Sequence, residues 1–331
     1  MNEVYFTFDY ELFFGEDSGT VENCLIKPTE RLISIGERTG AKFTFFVDAG
    51  FLIKMKNEID KFPHLRKDFE AVSAQLTQLS CLGHSIQLHI HPHWEDSYYD
   101  GQKWVNVSKR YRLHDFSQEQ IYNIAQQYRN VLLPFNNAVF AYRAGGWCLQ
   151  PFDKIQEGLK AAGVVLDSSV FKDGLLKTPT HFFDFRGAPF RSTWRFRNNP
   201  IVEDKSGDFI EMPISSLWVS PIFYWRFLFS RLTKKAEFKI FGDGRAIGSS
   251  AVDKIKMLLI GGVAPVSVDG FRAALLNGQA RSLFSKGLDK LVVIGHPKAL
   301  SEYSLLCLEK FIEDSRNIKF LGFERKHLLG N

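Results

Sequence analysis

Twelve residues, GHSIQLHIHPHW at 83–94, hold four of the nine histidines of the chain, and imidazole is the commonest protein metal ligand. Random placement would give an H-x-H-x-H pattern in a chain of this composition with a probability of only about 0.01. Pro92 disfavours a helical conformation at His91, so a strand end turning into a loop is expected here. Such a turn can aim His89 and His93 inward together while His91 points elsewhere. Two imidazoles and one carboxylate make an open triad that leaves positions for water and substrate; the plainer alternative is a polar loop or a set of hydrogen-bonded core histidines. The carboxylates are at hand in TFDYE, residues 7–11. In an extended chain Asp9 and Glu11 face the same side, about 6 to 7 Å apart. One can bind a metal while the other works as a base.

These groups need a scaffold that gathers chain ends. Short apolar, β-rich runs occur at Val4–Phe8, Ala41–Val47, Ser85–Ile90, Ala138–Tyr142, Val164–Leu166, Phe209–Met212, Leu291–Ile294 and Ile318–Leu321. Helical patterns separate many of them: Pro28–Arg38, Leu65–Leu82, Ser117–Leu133, Pro151–Ala162 and about Leu300–Asp314. Alternating strands and helices imply parallel βαβ units, either closed as a barrel or opened as a doubly wound sheet. Asp9 and Glu11, Asp48, His89–His93, Arg143, Asp167 and His296 each follow a strand. Polar groups at so many carboxyl ends are what the mouth of a barrel requires. The expected fold is therefore α/β, a distorted or incomplete (β/α) TIM-like barrel of about seven parallel strands. It forms one domain over residues 1–331, with loop insertions near 95–116, 171–208 and 214–265.

The motifs TFDYE, AKFTFFVDAG, GHSIQLHIHPHW, YRAGGW (142–147), LDSS (166–169) and VIGHP (293–297), in that order, resemble those of the polysaccharide deacetylase superfamily, the group of carbohydrate esterase family four and chitooligosaccharide deacetylases. The resemblance spans residues 4–297. It implies that Asp9 is the catalytic base, that Glu11, His89 and His93 hold a divalent metal ion, and that Arg143 orients the base. It makes His296 the general acid and Asp167 the acid that tunes it, and leaves His84 and His91 in supporting roles, with His91 the substitute ligand if the register shifts. FIEMP (209–213) resembles a strand-end element near the family's substrate groove and brings in Glu211. The chain departs from the R-x-P-x-G pattern, with Gly145 for proline and Trp147 for glycine. The backbone N–H near Gly146 is a candidate oxyanion donor. The implied cofactor is zinc, with cobalt, nickel or iron as alternatives, and the implied substrate is an N-acylated sugar.

Residues 171–208 interleave Lys172, Lys177, Arg186, Arg191, Arg195 and Arg197 with aromatic rings, which suits a loop that meets a sugar and an anionic group or one that only packs on the barrel. Trp218–Leu232 carries rings and two arginines; it suits a buried barrel helix or peripheral contact with a membrane and a lipid-linked glycan, and its charges rule against a spanning helix. FGDGRAIG (241–248) lacks the context of a phosphate loop and is expected to be a turn. The composition, 45% hydrophobic with 31 Phe, excludes a disordered chain. The net charge of +5 is not gathered in one basic block, so nucleic acid is not an expected partner. Four scattered cysteines and an acidic N-terminus without a leader pattern lead to a cytoplasmic expectation. A biosynthetic role on a nucleotide- or lipid-linked sugar follows from that. The rivals are hydrolysis of another C–N bond, such as an N-formyl sugar or cyclic amide, and a catalytically silent carbohydrate-binding barrel.

Overall fold

Strand β1 (Asn2–Tyr10) is buried along nearly its whole length, as a central strand of a parallel sheet must be. It leads through α1 (Lys27–Thr39), β2 (Thr44–Asp48), α2 (Ala49–Glu58) and α3 (Leu65–Cys81) to β3 (Ser85–Ile90). A small hairpin, β4 (Tyr98–Tyr99) and β5 (Trp104–Val105), precedes α4 (Gln118–Leu132), β6 (Ala141–Ala144), α5 (Gln156–Ala161) and β7 (Leu166–Asp167). A second hairpin, β8 (Leu175–Lys177) and β9 (Phe182–Asp184), is followed by β10 (Trp194–Phe196), β11 (Phe209–Glu211) and β12 (Ser216–Val219). Then come α6 (Pro221–Leu232), α7 (Ala251–Ile260), β13 (Gly262–Pro265), α8 (Leu276–Ser285), β14 (Lys290–Gly295), α9 (Glu302–Asp314), β15 (Ile318–Phe320) and α10 (Arg325–Leu329). The computed structural model describes residues 1–136, 138–245 and 251–329, so the last three positions of the turn expected at 241–248 lie outside the described residues.

The main sheet runs β10-β11-β7-β6-β3-β2-β1-β14, with β15 beside the start of β1. All neighbours pair in parallel except β10, which is antiparallel to β11. The gap between β11 and β14 is spanned by irregular chain. Ser215 N donates to Val292 O, and Val268 N and Ile294 N bond reciprocally across to Ile294 O and Val266 O. The barrel is thus distorted where residues 212–216 and 265–268 replace regular strands.

Local chemistry sets the helix limits. Ser117 caps α4 through Gln120 N, with Gln120 returning the bond, and Ser301 caps α9 through Ser304 N. Gly40 ends α1 with φ at 75°, a backbone state that suits glycine. Rings from β1 and β2, including Phe6, Phe8 and Phe45, fill the main core against Phe43 and Phe311. A second, smaller cluster of Val219, Phe223, Tyr224 and Ala264 lies apart, under α6 and α7.

Trp218–Leu232 is not a buried barrel helix. Trp218 and Val219 end β12, Ser220 precedes the helix, and the rest is α6, where Ile222 is 70% exposed and Phe229 60% exposed.

Candidate active site

At the end of β1, Asp9 and Glu11 point to one side, because successive strand residues alternate. Both approach His89 of β3, with Asp9 Oδ2 at 3.9 Å and Glu11 Oε2 at 3.1 Å from its Nε2. On the other side of the ring, His89 Nδ1 lies 2.9 Å from the Arg143 carbonyl oxygen. A carbonyl only accepts, so Nδ1 carries the hydrogen and Nε2 is turned toward the carboxylates. Burial opposes charge on this imidazole, but Asp9, Glu11 and Asp48 outweigh it and raise its pKa to about 9.

His91 completes the cluster. The extended backbone continues past β3 to His91, at φ −106° and ψ 90°, so the two-residue alternation puts it on the same face as His89. Its Nε2 stands 3.0 Å from His89 Nε2 and 2.5 Å from Glu11 Oε2. Three buried donors of the kind that zinc takes therefore face one another, within 4.8 Å. Around a tetrahedral ion with bonds of about 2.0 to 2.1 Å, donors stand about 3.3 Å apart, so the set fits a small divalent cation. Burial opposes ionisation of Glu11, yet Lys298, His91 and His89 hold its carboxyl well below the usual range.

Asp9 is gripped from behind. Arg143, fully buried, donates from Nη1 to Asp9 Oδ1 at 2.6 Å, from Nη2 to Thr7 Oγ1 at 2.9 Å and from Nε to Ser168 O at 2.8 Å. Its guanidinium lies over the Phe46 ring, 4.1 Å from the centroid. The other oxygen of Asp9, Oδ2, faces His296 Nε2 at 3.6 Å, and Glu11 Oε1 is 3.9 Å from the same nitrogen. His296 Nδ1 is held by Asp269 Oδ2 at 2.9 Å, while Asp269 Oδ1 accepts the His296 backbone N–H at 2.8 Å. Burial lowers the pKa of His296, but Asp269, Asp9 and Glu11 raise it further than burial lowers it.

Several expected roles move to other residues. His93 does not join the cluster: the 3₁₀ turn Pro92–Glu95 carries it past, and its ring stacks on Tyr111, 5.9 Å away at 13°, with Phe14 at its edge. Neither His93 ring nitrogen has a hydrogen-bond partner, and burial drives its pKa well down. Asp167 does not reach His296. It binds Ser169 N and Oγ and faces Glu211 instead, and Asp269 takes its place because the irregular strand 266–268 runs directly beside β14. Glu211 is fully buried and lines no groove. Arg186 is exposed, paired with Asp184 at 2.6 Å, and touches none of the cluster. Trp147 packs on Phe171 and Phe183, while a side chain on Gly146 would meet His181 and Tyr111. His84 supports the far side of the barrel by accepting Phe43 N at 3.1 Å.

Three site residues were not foreseen. Lys298 donates to Glu11 Oε1 at 2.8 Å and to Leu12 O at 2.5 Å. Asp269 ends VSVDG (266–270), an apolar run closed by an acid, the pattern that marked the other strand ends. His181 lies at the rim, 4.2 Å between centroids from Tyr111, and burial with the His91 charge lowers its pKa to about 4.

No family model matches the sequence, and no curated protein matches it. Solved polysaccharide deacetylases are similar to this chain. A protein assigned as one from Mycobacterium smegmatis is 14% identical, with a TM-score of 0.49, over 97% of this chain and 86% of that one. Polysaccharide deacetylase Bc1974 from Bacillus cereus is 11% identical with a TM-score of 0.40, covering 98% and 94%. The catalytic domain of a peptidoglycan N-acetylglucosamine deacetylase from Eubacterium rectale is 12% identical with a TM-score of 0.41, covering 98% and 89%. At identities of 11% to 14% and TM-scores below 0.5 these likenesses decide neither fold nor chemistry, which rest on the sheet order and on the side chains themselves.

Proposed function

We propose that this chain is a metal-dependent amidohydrolase that removes an N-acyl group, foremost N-acetyl, from an amino sugar of a glycan or glycan precursor. The observation that supports it most is the flanking of the three-donor cluster by Asp9 and His296, each held by an oppositely charged partner. Glu11, His89 and His91 would hold a divalent cation, zinc by donor type, which when bound supplies Lewis acidity at an amide carbonyl and acidifies a water.

The remaining work belongs to the side chains. Arg143 occupies Asp9 Oδ1 and leaves Oδ2 to take the proton of the attacking water. Asp269 fixes the tautomer of His296 and favours its imidazolium, so that Nε2 can donate a proton to the departing nitrogen. Lys298 neutralises the Glu11 oxygen turned away from the imidazoles. An open cleft of about 570 Å³ beside Phe14, lined by Lys103, Trp104, Asn106 and Thr180, offers aromatic and polar faces for a sugar. Four unbridged cysteines suit a reducing compartment, hence a role in cytoplasmic glycan assembly.

The test is product detection on N-acetyl and N-formyl amino sugars and their oligomers, with the cation determined by elemental analysis. Acetate release, abolished in Asp9→Asn while the metal content stays unchanged, is the expected result. Formate alone would move the substrate to N-formyl sugars. Sugar binding that is unaltered by Asp9→Asn, without turnover of any substrate, would defeat the hydrolase reading.

A further inference from the structure

Helix α6 has apolar residues on two opposite faces. Phe223 and Phe227 pack inward on Phe271, in the small core under the helix. Ile222, Trp225, Phe229 and Leu232, spaced 3, 4 and 3 apart, form a stripe on the other face and are 46% to 70% exposed. Helix α7 repeats the arrangement: Met257 and Leu258 pack on the small core, while Val252, Ile255 and Leu259 are exposed. Trp225 Nε1 donates to Leu258 O at 3.0 Å, which joins the two stripes. Of the 19 large apolar side chains exposed among the described residues, 12 fall between Trp218 and Val263. Single exposed apolar residues are ordinary, but a contiguous surface of this kind marks a contact.

Charge indicates what it meets. Residues 218–263 carry eight Lys and Arg against three Asp and Glu, a net +5 that equals the charge of the entire chain. Lys234 and Lys235 follow directly on the apolar helix, and Lys254 and Lys256 punctuate the second one. Rings and branched aliphatics fringed by cations are the pattern of an element that lies in the interface of an anionic bilayer. Among the described residues no helix is long and apolar enough to cross one.

We propose that α6 and α7 dock the protein on the surface of an anionic phospholipid membrane, with the apolar stripes in the acyl boundary and the lysines at the headgroups. An open cleft of about 710 Å³, lined by Phe227, Arg231, Lys234, Asp269 and Arg272, runs from α6 to the aspartate that holds His296. Docking therefore brings the candidate catalytic mouth to the headgroup layer. The proposal stands apart from the hydrolase reading, since its test reads binding and not turnover.

The full-length protein is sedimented with vesicles of phosphatidylcholine alone and with about 30 mol % phosphatidylglycerol. Binding to the anionic vesicles, weak on the neutral ones and weakened by salt, is expected. Phe229→Gln/Leu232→Gln and Lys234→Gln/Lys235→Gln should each lower the partition coefficient about tenfold or more, with circular dichroism unchanged. In the unaltered protein, lipids brominated on the acyl chain should quench tryptophan emission through Trp218 and Trp225, which needs no variant. Failure to bind either vesicle, or binding without quenching, overturns the proposal. So does a wild-type dimer in light scattering that Phe229→Gln/Leu232→Gln converts to monomer, since the stripes would then be a contact between copies.

Discussion

Any side chain at Gly145 would place its Cβ 2.7 Å from His91 Nδ1 and 2.8 Å from the Ile90 carbonyl oxygen. Glycine there is what allows the His91 ring to lean into the cluster, and a proline would not fit beside it. Gly145→Ala should therefore weaken cation affinity about 10- to 100-fold, the range seen when a ligand's support is lost, and lower the melting temperature as the Ile90 backbone shifts; titration calorimetry with zinc on the folded variant measures the first. Asp269→Asn tests the other flank. It removes the first charge that raises the His296 pKa. With the imidazolium as the proposed proton donor, its population is lost as pH rises through the folded pKa, and lowering that pKa moves the loss to lower pH. The alkaline limb of the kcat profile should shift downward, and kcat at neutral pH should fall about 10²-fold or more. An unmoved limb would remove His296 from the role of acid. At this scale the sequence was informative for Asp9, Glu11, His89, Arg143 and His296, all of which converge. His93 is expected in the cluster from the resemblance, with His91 as substitute; it is His91 that stands there, because the strand alternation that pairs Asp9 with Glu11 also pairs His89 with His91.

Strand register produces a pair of acids that the site does not use. Parallel β7 and β11 set Asp167 directly beside Glu211, both buried. Burial first, and then the charge of Asp167, raise the Glu211 pKa well above its ordinary 4.5, and burial raises that of Asp167 too, so the pair favours a shared, protonated state. A carboxyl whose folded pKa is raised stabilises the fold fully below its unfolded pKa, and that contribution is lost as pH climbs through the folded value. The contribution of this pair to stability, read from urea unfolding, should accordingly be greatest at acid pH and decline as pH rises above the ordinary carboxyl value. Glu211→Gln, which keeps a hydrogen-bond donor without a titrating proton, should make that slope shallower. Equal slopes would mean that the pair is not protonated. Elements whose pattern is regular and local were legible in this way: Ser85–Ile90 matches β3 residue for residue, and α1, α3, α4 and α9 end within about two residues of expectation. The strand expected at Ala138–Tyr142 begins later, at Ala141, because the Gln87 side chain engages the Phe140 and Ala141 amides where a ladder would start. Helix α2 is not among the expected helices; its Gly50 position admits no side chain, since a Cβ would meet the Tyr128 hydroxyl at 2.6 Å.

At the scale of the molecule the barrel and the α6–α7 region have separate apolar cores, and this separation explains why one was readable and the other was not. The barrel core joins residues from Val4 to Phe323, so the strands of the main sheet contribute to it and its periodicity is strong. The smaller cluster rests on four buried side chains, Val219, Phe223, Tyr224 and Ala264, and its helices carry apolar residues on both faces, so Trp218–Leu232 reads as a helix without showing which face is covered, and α7 is not read at all. With so little buried area, α6 and α7 should open without the barrel, at a free energy well below that of global unfolding. Native-state hydrogen exchange read by mass spectrometry should show the amides of 222–232 and 252–260 exchanging at least about tenfold faster than those of β1 and β14, with no dependence on low denaturant. Anionic vesicles should slow that exchange and leave β1 unaffected, because a surface that orders the two helices stabilises only the unit it touches. Exchange of α6 at the rate of β1 in the free protein would show instead that the two cores unfold as one, and that the outward stripes are rigid before anything covers them.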